Sequence, residues 1–136
     1  MGRILAIDYG GKRTGLAITD PLHIIATGLD TVQTKDIYKY LLVYCEKEHV
    51  EAFVIGDSKH LDNTKTEISL EIDVFAKKLK SLFPKIPIHW IDERFTSKMA
   101  KQSMLQSGMT KKKRRQKELV DEISATIILQ SFMNSK

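Results

Sequence analysis

The sequence predicts a single α/β domain in which helices cover both faces of a mixed sheet. Two observations support this prediction. Three short apolar segments separated by turn residues open the chain, which indicates consecutive strands, and strands then alternate with amphipathic segments at helical spacing. A chain of 136 residues of which 42% are apolar is long enough for one core but not for two.

The first three predicted strands follow one another directly. Residues 3–9 form an aliphatic run that stops at two glycines, which predicts a buried strand and a tight turn. Residues 13–20 are predicted to complete this hairpin, and residues 23–31 to form a third strand. We expect residues 3–9 to lie centrally, paired with 13–20 on one side and with a fourth strand, 51–56, on the other.

Helices and strands alternate in the rest of the chain. Apolar residues at helical spacing predict amphipathic helices, and the short apolar runs between them predict strands. The predicted elements are a helix over 35–49, a strand over 51–56, a helix over 65–83, a strand over 86–91, a helix over 96–107 and a final helix over 117–133.

Positive charge is concentrated in one segment between the last two predicted helices. The formal net charge is +5, and residues 111–117 hold six cations and no acid, so the rest of the chain carries −1. Such a basic segment suits a polyanion such as nucleic acid, although a solvated loop would have the same composition. We predict that this segment is mobile without ligand and becomes ordered on nucleic acid.

Cysteine content and hydropathy favour a cytoplasmic protein. Cys45 is the single cysteine, which precludes an internal disulfide and fits a reducing compartment. No apolar run reaches the roughly 18 residues of a membrane span. The first apolar run is also too short for a signal peptide.

Acidic residues stand at the ends of predicted buried elements. Asp8 closes the first strand, directly before the two glycines, where it could bind a metal or cap the turn. Asp92 and Glu93 end the fifth strand, where Asp92 could alternatively cap the next helix. Asp121 shares an apolar stripe of the last helix, although an acid in a first turn also favours the helix dipole.

Carboxylates from separate buried elements could converge on one metal site. A site made only of oxygen ligands suits Mg²⁺ or Mn²⁺, and such ions can activate water and stabilise the leaving oxygen of a phosphodiester. Zinc is poorly supported, because one cysteine and four scattered histidines show no zinc-ligand spacing. No P-loop, dinucleotide-binding or nucleophile-elbow motif is present.

Three sequence blocks resemble the YqgF family, whose members are relatives of RuvC-type Holliday junction resolvases within the ribonuclease-H-like superfold. The opening block is the most specific and covers residues 8–20, DYGGKRTGLAITD. Residues 92–97, DERFTS, and 121–130, DEISATIILQ, resemble later blocks of the family in order and spacing. The chain departs from the family at Gly56-Asp57-Ser58, where Gly-Leu-Pro is usual. Asp57 could join the metal site, but the start of a looser loop is favoured.

The resemblance implies a five-stranded sheet of order 3-2-1-4-5 and a metal-dependent nuclease that processes the 5′ end of precursor 16S rRNA. It implies Asp8, Glu93 and Asp121 as catalytic acids and ligands of Mg²⁺ or Mn²⁺, with Asp92 as a weaker substitute for Glu93. The cations expected to bind the substrate are Lys12, Arg13, Arg94, Lys111, Lys112, Lys113, Arg114 and Arg115.

Several alternatives stay open. An older proposal for the family is resolution of branched DNA, and a catalytically silent RNA-binding module would keep the basic segment without needing all three acids. An actin-like or sugar-kinase ATPase also opens with an acid–glycine hairpin, but it needs a second lobe for which this chain is too short. The sequence does not distinguish RNA from DNA or a monomer from a homodimer.

Overall fold

A computed structural model of the chain describes residues 2–57, 67–92 and 117–134, and only the backbone at 57, 67, 92 and 117–122. The predicted helix over 96–107 and residues 111–116 of the basic segment lie outside these ranges. The elements are β1 (Arg3–Asp8), β2 (Arg13–Thr19), β3 (Ala26–Gln33), a 3₁₀ turn (Thr34–Asp36), α1 (Ile37–Lys47), β4 (Val50–Asp57), α2 (Glu67–Leu82), β5 (Ile88–Asp92) and α3 (Lys117–Asn134).

The five strands form one mixed sheet in the order β3-β2-β1-β4-β5. β1 pairs antiparallel with β2 and parallel with β4, and β4 pairs parallel with β5. Both the predicted strand order and the central place of β1 are therefore confirmed. Because β1, β4 and β5 are parallel, their carboxyl ends meet at the same edge of the sheet.

Two apolar clusters cover the two faces of the sheet, as predicted. Alternate residues of β1 enter different clusters, because successive side chains of a strand point to opposite faces. Leu5 and Ile7 pack with α1 and α2, whereas Ile4 and Ala6 pack against α3. Within the described residues, no helix is long and apolar enough to cross a membrane.

β3 begins at Ala26, three residues later than predicted, because the side chain of Asp20 organises the preceding residues into a loop. Its carboxylate accepts three backbone N–H groups, from Leu22 at 3.1 Å, Ile24 at 2.8 Å and Ile25 at 2.7 Å. His23 within this loop adopts a left-handed φ of 58°. A chain folded around one carboxylate has no N–H groups left there for a strand ladder.

Other boundaries differ from the prediction by one or two residues. The first helical turn after β3 is 3₁₀, so α1 starts at Ile37 rather than 35, and it ends at Lys47 because Glu48 is extended. β5 starts two residues late, because the Ile86 N–H donates to Phe83 in a turn and Pro87 has no N–H. β4 includes Asp57, so the preference for Asp57 as the start of a loop is wrong.

Candidate active site

Asp8 is the last residue of the central strand and lies at the edge where the parallel strands end. It is half-buried. Since Ile4 and Ala6 pack against α3, strand alternation puts Asp8 on the α3 side of the sheet. The backbones of Asp57 and Asp92 pair with each other at the ends of the two neighbouring parallel strands. Acidic residues therefore end all three parallel strands at one edge of the sheet.

The turn that follows Asp8 is held by Thr34, the first residue after β3. Its hydroxyl donates to the carbonyl of Gly10 at 2.6 Å and lies 2.8 Å from the hydroxyl of Thr14, which is fully buried. Its backbone N–H donates to the carbonyl of Lys12 at 2.9 Å. Because the Thr34 proton is used on Gly10, the Thr14 hydroxyl is the donor in their shared bond.

Close backbone packing and an aromatic contact further restrain the two residues that follow Asp8. A Cβ at Gly10 would lie 2.3 Å from the carbonyl oxygen of Arg13, so only glycine fits without a shift of the backbone. Tyr9 stacks at a tilt on Phe75 of α2, with ring centroids 4.8 Å apart. Burial, and secondarily the charge of Glu71, raises the pKa of Tyr9. Contacts with Phe75 and with the backbone of Arg13 therefore hold the two residues that follow Asp8.

A cavity of about 630 Å³, lined by polar and apolar surface in about equal parts, opens beside this turn. Its lining includes the backbone of Gly11 and the cations Lys12, Arg13 and Lys35. Lys12 and Lys35 are exposed, and Arg13 begins β2. The two cations predicted from the sequence to bind substrate in this part of the chain therefore line one cavity, together with a third, Lys35, that the sequence did not single out.

Of the other two predicted acids, Asp121 and Glu93, the structure describes only the backbone of Asp121. α3 packs on the face of the sheet that carries Asp8, and Asp121 lies in its first turns, four residues before the fully buried Ala125. Its side chain, and Glu93 altogether, fall outside what the structure describes, as do Arg94 and residues 111–115. Among the side chains that are described, no three His, Cys, Asp or Glu residues form a group that could hold a metal ion.

The Thr34 contacts were missed by sequence reasoning. The run Thr34-Lys35-Asp36 predicts a helix start, and the 3₁₀ turn does begin there, but Gln33 is the N-cap and makes no side-chain capping bond. The hydroxyl of Thr34 is used instead on a residue 24 positions earlier in the chain. No local pattern signals a hydrogen bond over that separation.

Comparison with known proteins gives a family and a fold. The family model described as RuvX, Holliday junction resolvase, matches residues 2–135. RuvX and YqgF are the same family, so the resemblance found in the sequence is confirmed. A protein of Christiangramia forsetii named "Putative pre-16S rRNA nuclease" is 53% identical over 133 residues, which are 98% of each chain. A protein of Porphyromonas gingivalis with the same name is also 53% identical, over 99% of this chain and 98% of its own length.

Solved structures show the same fold at low sequence identity. Thermus thermophilus RuvC in complex with a Holliday junction has a TM-score of 0.60 at 16% identity and covers 99% of this chain and 98% of its own. The fowlpox virus resolvase in complex with Holliday junction DNA has a TM-score of 0.61 at 15% identity, over 98% and 97% of the two chains. The architecture is therefore the ribonuclease-H-like fold of the RuvC-type resolvases.

Proposed function

The chain belongs to the RuvX family, and we propose from this premise that it is a metal-dependent nuclease that processes the 5′ end of precursor 16S rRNA. The observation that carries the proposal is the position of Asp8 at the end of the central strand, directly before a turn that lines a cavity with three cations. The names of relatives at 53% identity over nearly the whole chain support rRNA as the substrate.

Asp8, Glu93 and Asp121 are the acids proposed to hold the metal. A set of carboxylate oxygens fits the hard cations Mg²⁺ and Mn²⁺, so the chemistry of these donors agrees with the proposed ion. When bound, the ion would supply an activated water and would stabilise the leaving oxygen of the phosphodiester. The helix that carries Asp121 packs on the face of the sheet to which Asp8 belongs, which supports a shared site for these two acids.

The chain's own cations position the substrate in this proposal. Lys12 and Arg13 come at the end of the turn that follows Asp8. In this proposal they contact the phosphates nearest the scissile bond. Arg94 and the basic segment, with Lys111, Lys112, Lys113, Arg114 and Arg115, bind phosphates farther along the nucleic acid. Each phosphate contact that is removed should reduce the slope of log K against log salt by roughly 0.7 to 0.9.

Replacing Lys112, Lys113 and Arg114 by Ala tests the role of the basic segment. We expect weaker binding to structured RNA and a flatter salt dependence, because counterion release falls with each lost contact. The measurement is fluorescence anisotropy at several salt concentrations with wild type and the triple variant. Equal affinity at every salt concentration would show that the segment is only a solvated connection.

The proposal places the protein in the cytoplasm, with nucleic acid as its partner. Precursor rRNA is the substrate that would require this location, and the single, half-buried Cys45 is compatible with a reducing compartment. Burial raises the pKa of the Cys45 thiol to about 11, so it is almost entirely protonated at neutral pH. A homodimer and a monomer are both compatible with the proposed chemistry.

Branched DNA is the competing substrate, because the family description names Holliday junction resolution. The decisive experiment offers the purified protein, with Mn²⁺, a structured 5′ precursor of 16S rRNA and a four-way DNA junction side by side. We expect cleavage of the RNA by wild type and by the control variant Glu46→Gln, which changes an exposed acid on α1, but not by Asp8→Asn. Cleavage of the junction alone would favour a resolvase, and binding without cleavage of either would favour a silent RNA-binding module.

A further inference from the structure

Two cavities adjoin at the carboxyl-terminal end of β3. The cavity at the turn after Asp8 shares Val32 and Gln33 of β3 with a second cavity of about 560 Å³, which lies between β3 and α1. The second cavity is lined mainly by apolar surface and includes the rings of Tyr40 and Tyr44. The two cavities therefore adjoin at β3, the first next to the turn after Asp8 and the second, which carries the aromatic rings, beside α1.

Positive charge follows this surface. Cations lining the two cavities outnumber acids by five to one, since Asp36 is the single acid in their lining and the cations are Lys12, Arg13, Lys35, Lys39 and Lys47. The body of the chain without its basic segment has a slightly negative formal charge, so this concentration of cations is local. A polyanion is the ligand that matches it in charge.

The two tyrosines have the arrangement of an aromatic platform. They lie one helical turn apart on α1, with ring planes within 7° of parallel and centroids 6.2 Å apart. Both are half-buried, so part of each ring lines the cavity while the rest packs on the core. Tyr40 is also held by a hydrogen bond to Asp30 of β3. Rings fixed in this way can stack on a base with little loss of side-chain freedom.

We propose that this surface, the β3–α1 track, binds a single-stranded stretch of RNA next to the cleavage site. Lys12, Arg13 and Lys35 contact its phosphates, and Tyr40 and Tyr44 contact its bases. The bases of a duplex are stacked inside the helix and cannot reach an aromatic side chain, whereas the bases of a single strand can. The inference rests on the proposed nuclease function and adds that the substrate is unpaired on this side of the scissile bond.

Two variants separate the phosphate and base contacts of the β3–α1 track. Tyr44→Leu keeps an apolar side chain on the core but removes the ring, and Lys35→Glu reverses an exposed charge that has no packing role. Lys85→Glu is the matched control, because it makes the same charge change at an exposed position in the turn after α2. Circular dichroism and thermal melts of all four proteins check that each variant is folded.

Binding is measured in EDTA, where no cleavage occurs, by anisotropy of labelled single-stranded oligo(U) and of a blunt RNA duplex. We expect Tyr44→Leu to bind the single strand at least about fivefold more weakly, with less than twofold change for the duplex. Lys35→Glu should weaken the single strand relative to Lys85→Glu and reduce its salt slope by about 0.7. Single-strand affinities of both variants equal to that of Lys85→Glu, or equal losses on the duplex for Tyr44→Leu, would overturn the inference.

The outcomes for the track and for the nuclease can be told apart. Wild type that cleaves the rRNA precursor with Mn²⁺ while both variants bind the single strand normally would refute the track alone. Wild type that fails to cleave while the variants lose single-strand binding would refute the nuclease and leave a single-strand-binding surface.

Discussion

The turn after Asp8 depends on the hydroxyl of Thr34, and Thr34→Val removes that hydroxyl while keeping the shape of the side chain. In the wild type the hydroxyl is within hydrogen-bond distance of two groups, the carbonyl of Gly10 at 2.6 Å and the hydroxyl of Thr14 at 2.8 Å. Valine leaves both groups without this partner. The Thr14 side chain is fully buried, so water cannot replace what it loses.

The expected loss of stability follows from these two bonds. A typical hydrogen bond contributes about 1 kcal/mol net, and a buried polar group left unsatisfied costs about 1–3 kcal/mol. We therefore expect Thr34→Val to lower the free energy of unfolding by about 2–3 kcal/mol. The double variant with Thr14→Val should be destabilised by less than the sum of the two single variants, because it also removes the hydroxyl that would be stranded.

Urea denaturation followed by circular dichroism measures this effect, with Thr27→Val as the control. Thr27 lies on β3, opposite Ile18 of β2, and its side chain is exposed, so its replacement should change stability by less than about 0.5 kcal/mol. A Thr34→Val variant as stable as Thr27→Val would refute the argument that Thr34 holds the turn. If the turn positions Asp8 and Lys12, Thr34→Val should also cleave RNA more slowly under conditions where it remains folded.

Two further predictions concern the loops on either side of β2. Gly10→Ala should destabilise the protein by more than about 1 kcal/mol because its Cβ would lie 2.3 Å from a backbone oxygen, whereas Gly11→Ala, which meets nothing within 4 Å, should not; equal urea midpoints would contradict this. Asp20→Ala should lower stability at neutral pH because three N–H groups lose their acceptor. Those backbone hydrogen bonds hold the pKa of Asp20 below its usual 3.8, so its contribution is present above that pH and disappears as the pH falls through the lowered value. The difference between wild type and Asp20→Ala should therefore shrink in urea titrations below pH 4, and a constant difference would show that the carboxylate charge is not involved.

The order of elements was predictable because it follows from periodicity and from glycine and proline positions. The hairpin of β1 and β2 and the alternation after β3 depend on local apolar patterns, which one sequence displays directly. The delayed start of β3 was not predictable in the same way, because the pattern of residues 23–25 is compatible with a strand. These residues form a loop instead, because the Asp20 carboxylate accepts three backbone N–H groups at once.

In the candidate site, too, some features follow from the local sequence and others depend on contacts between distant segments. The prediction that Asp8 ends a strand rests on its own neighbours and is confirmed, whereas the proposal that it meets Glu93 and Asp121 depends on long-range placement and stays a prediction. Lys35, Tyr40 and Tyr44 read locally as ordinary helix residues. Their place beside Lys12 and Arg13 arises only because β3 pairs with β2 in the register that sets Arg13 opposite Gln33. A pattern confined to one segment cannot reveal that proximity.

The most direct test of the central claim, that Asp8 belongs to a divalent-metal site, is the melting temperature of wild type and Asp8→Asn with and without Mn²⁺. Acids that share a site repel one another, and a bound cation relieves that repulsion. Mn²⁺ at about 100 times its Kd should therefore stabilise wild type by about 2.7 kcal/mol, which is a rise of several degrees. The account predicts this rise for wild type, its loss in Asp8→Asn, and a metal-free Asp8→Asn variant at least as stable as wild type. A wild type whose melting temperature ignores Mn²⁺, together with an Asp8→Asn variant that is less stable, would contradict it.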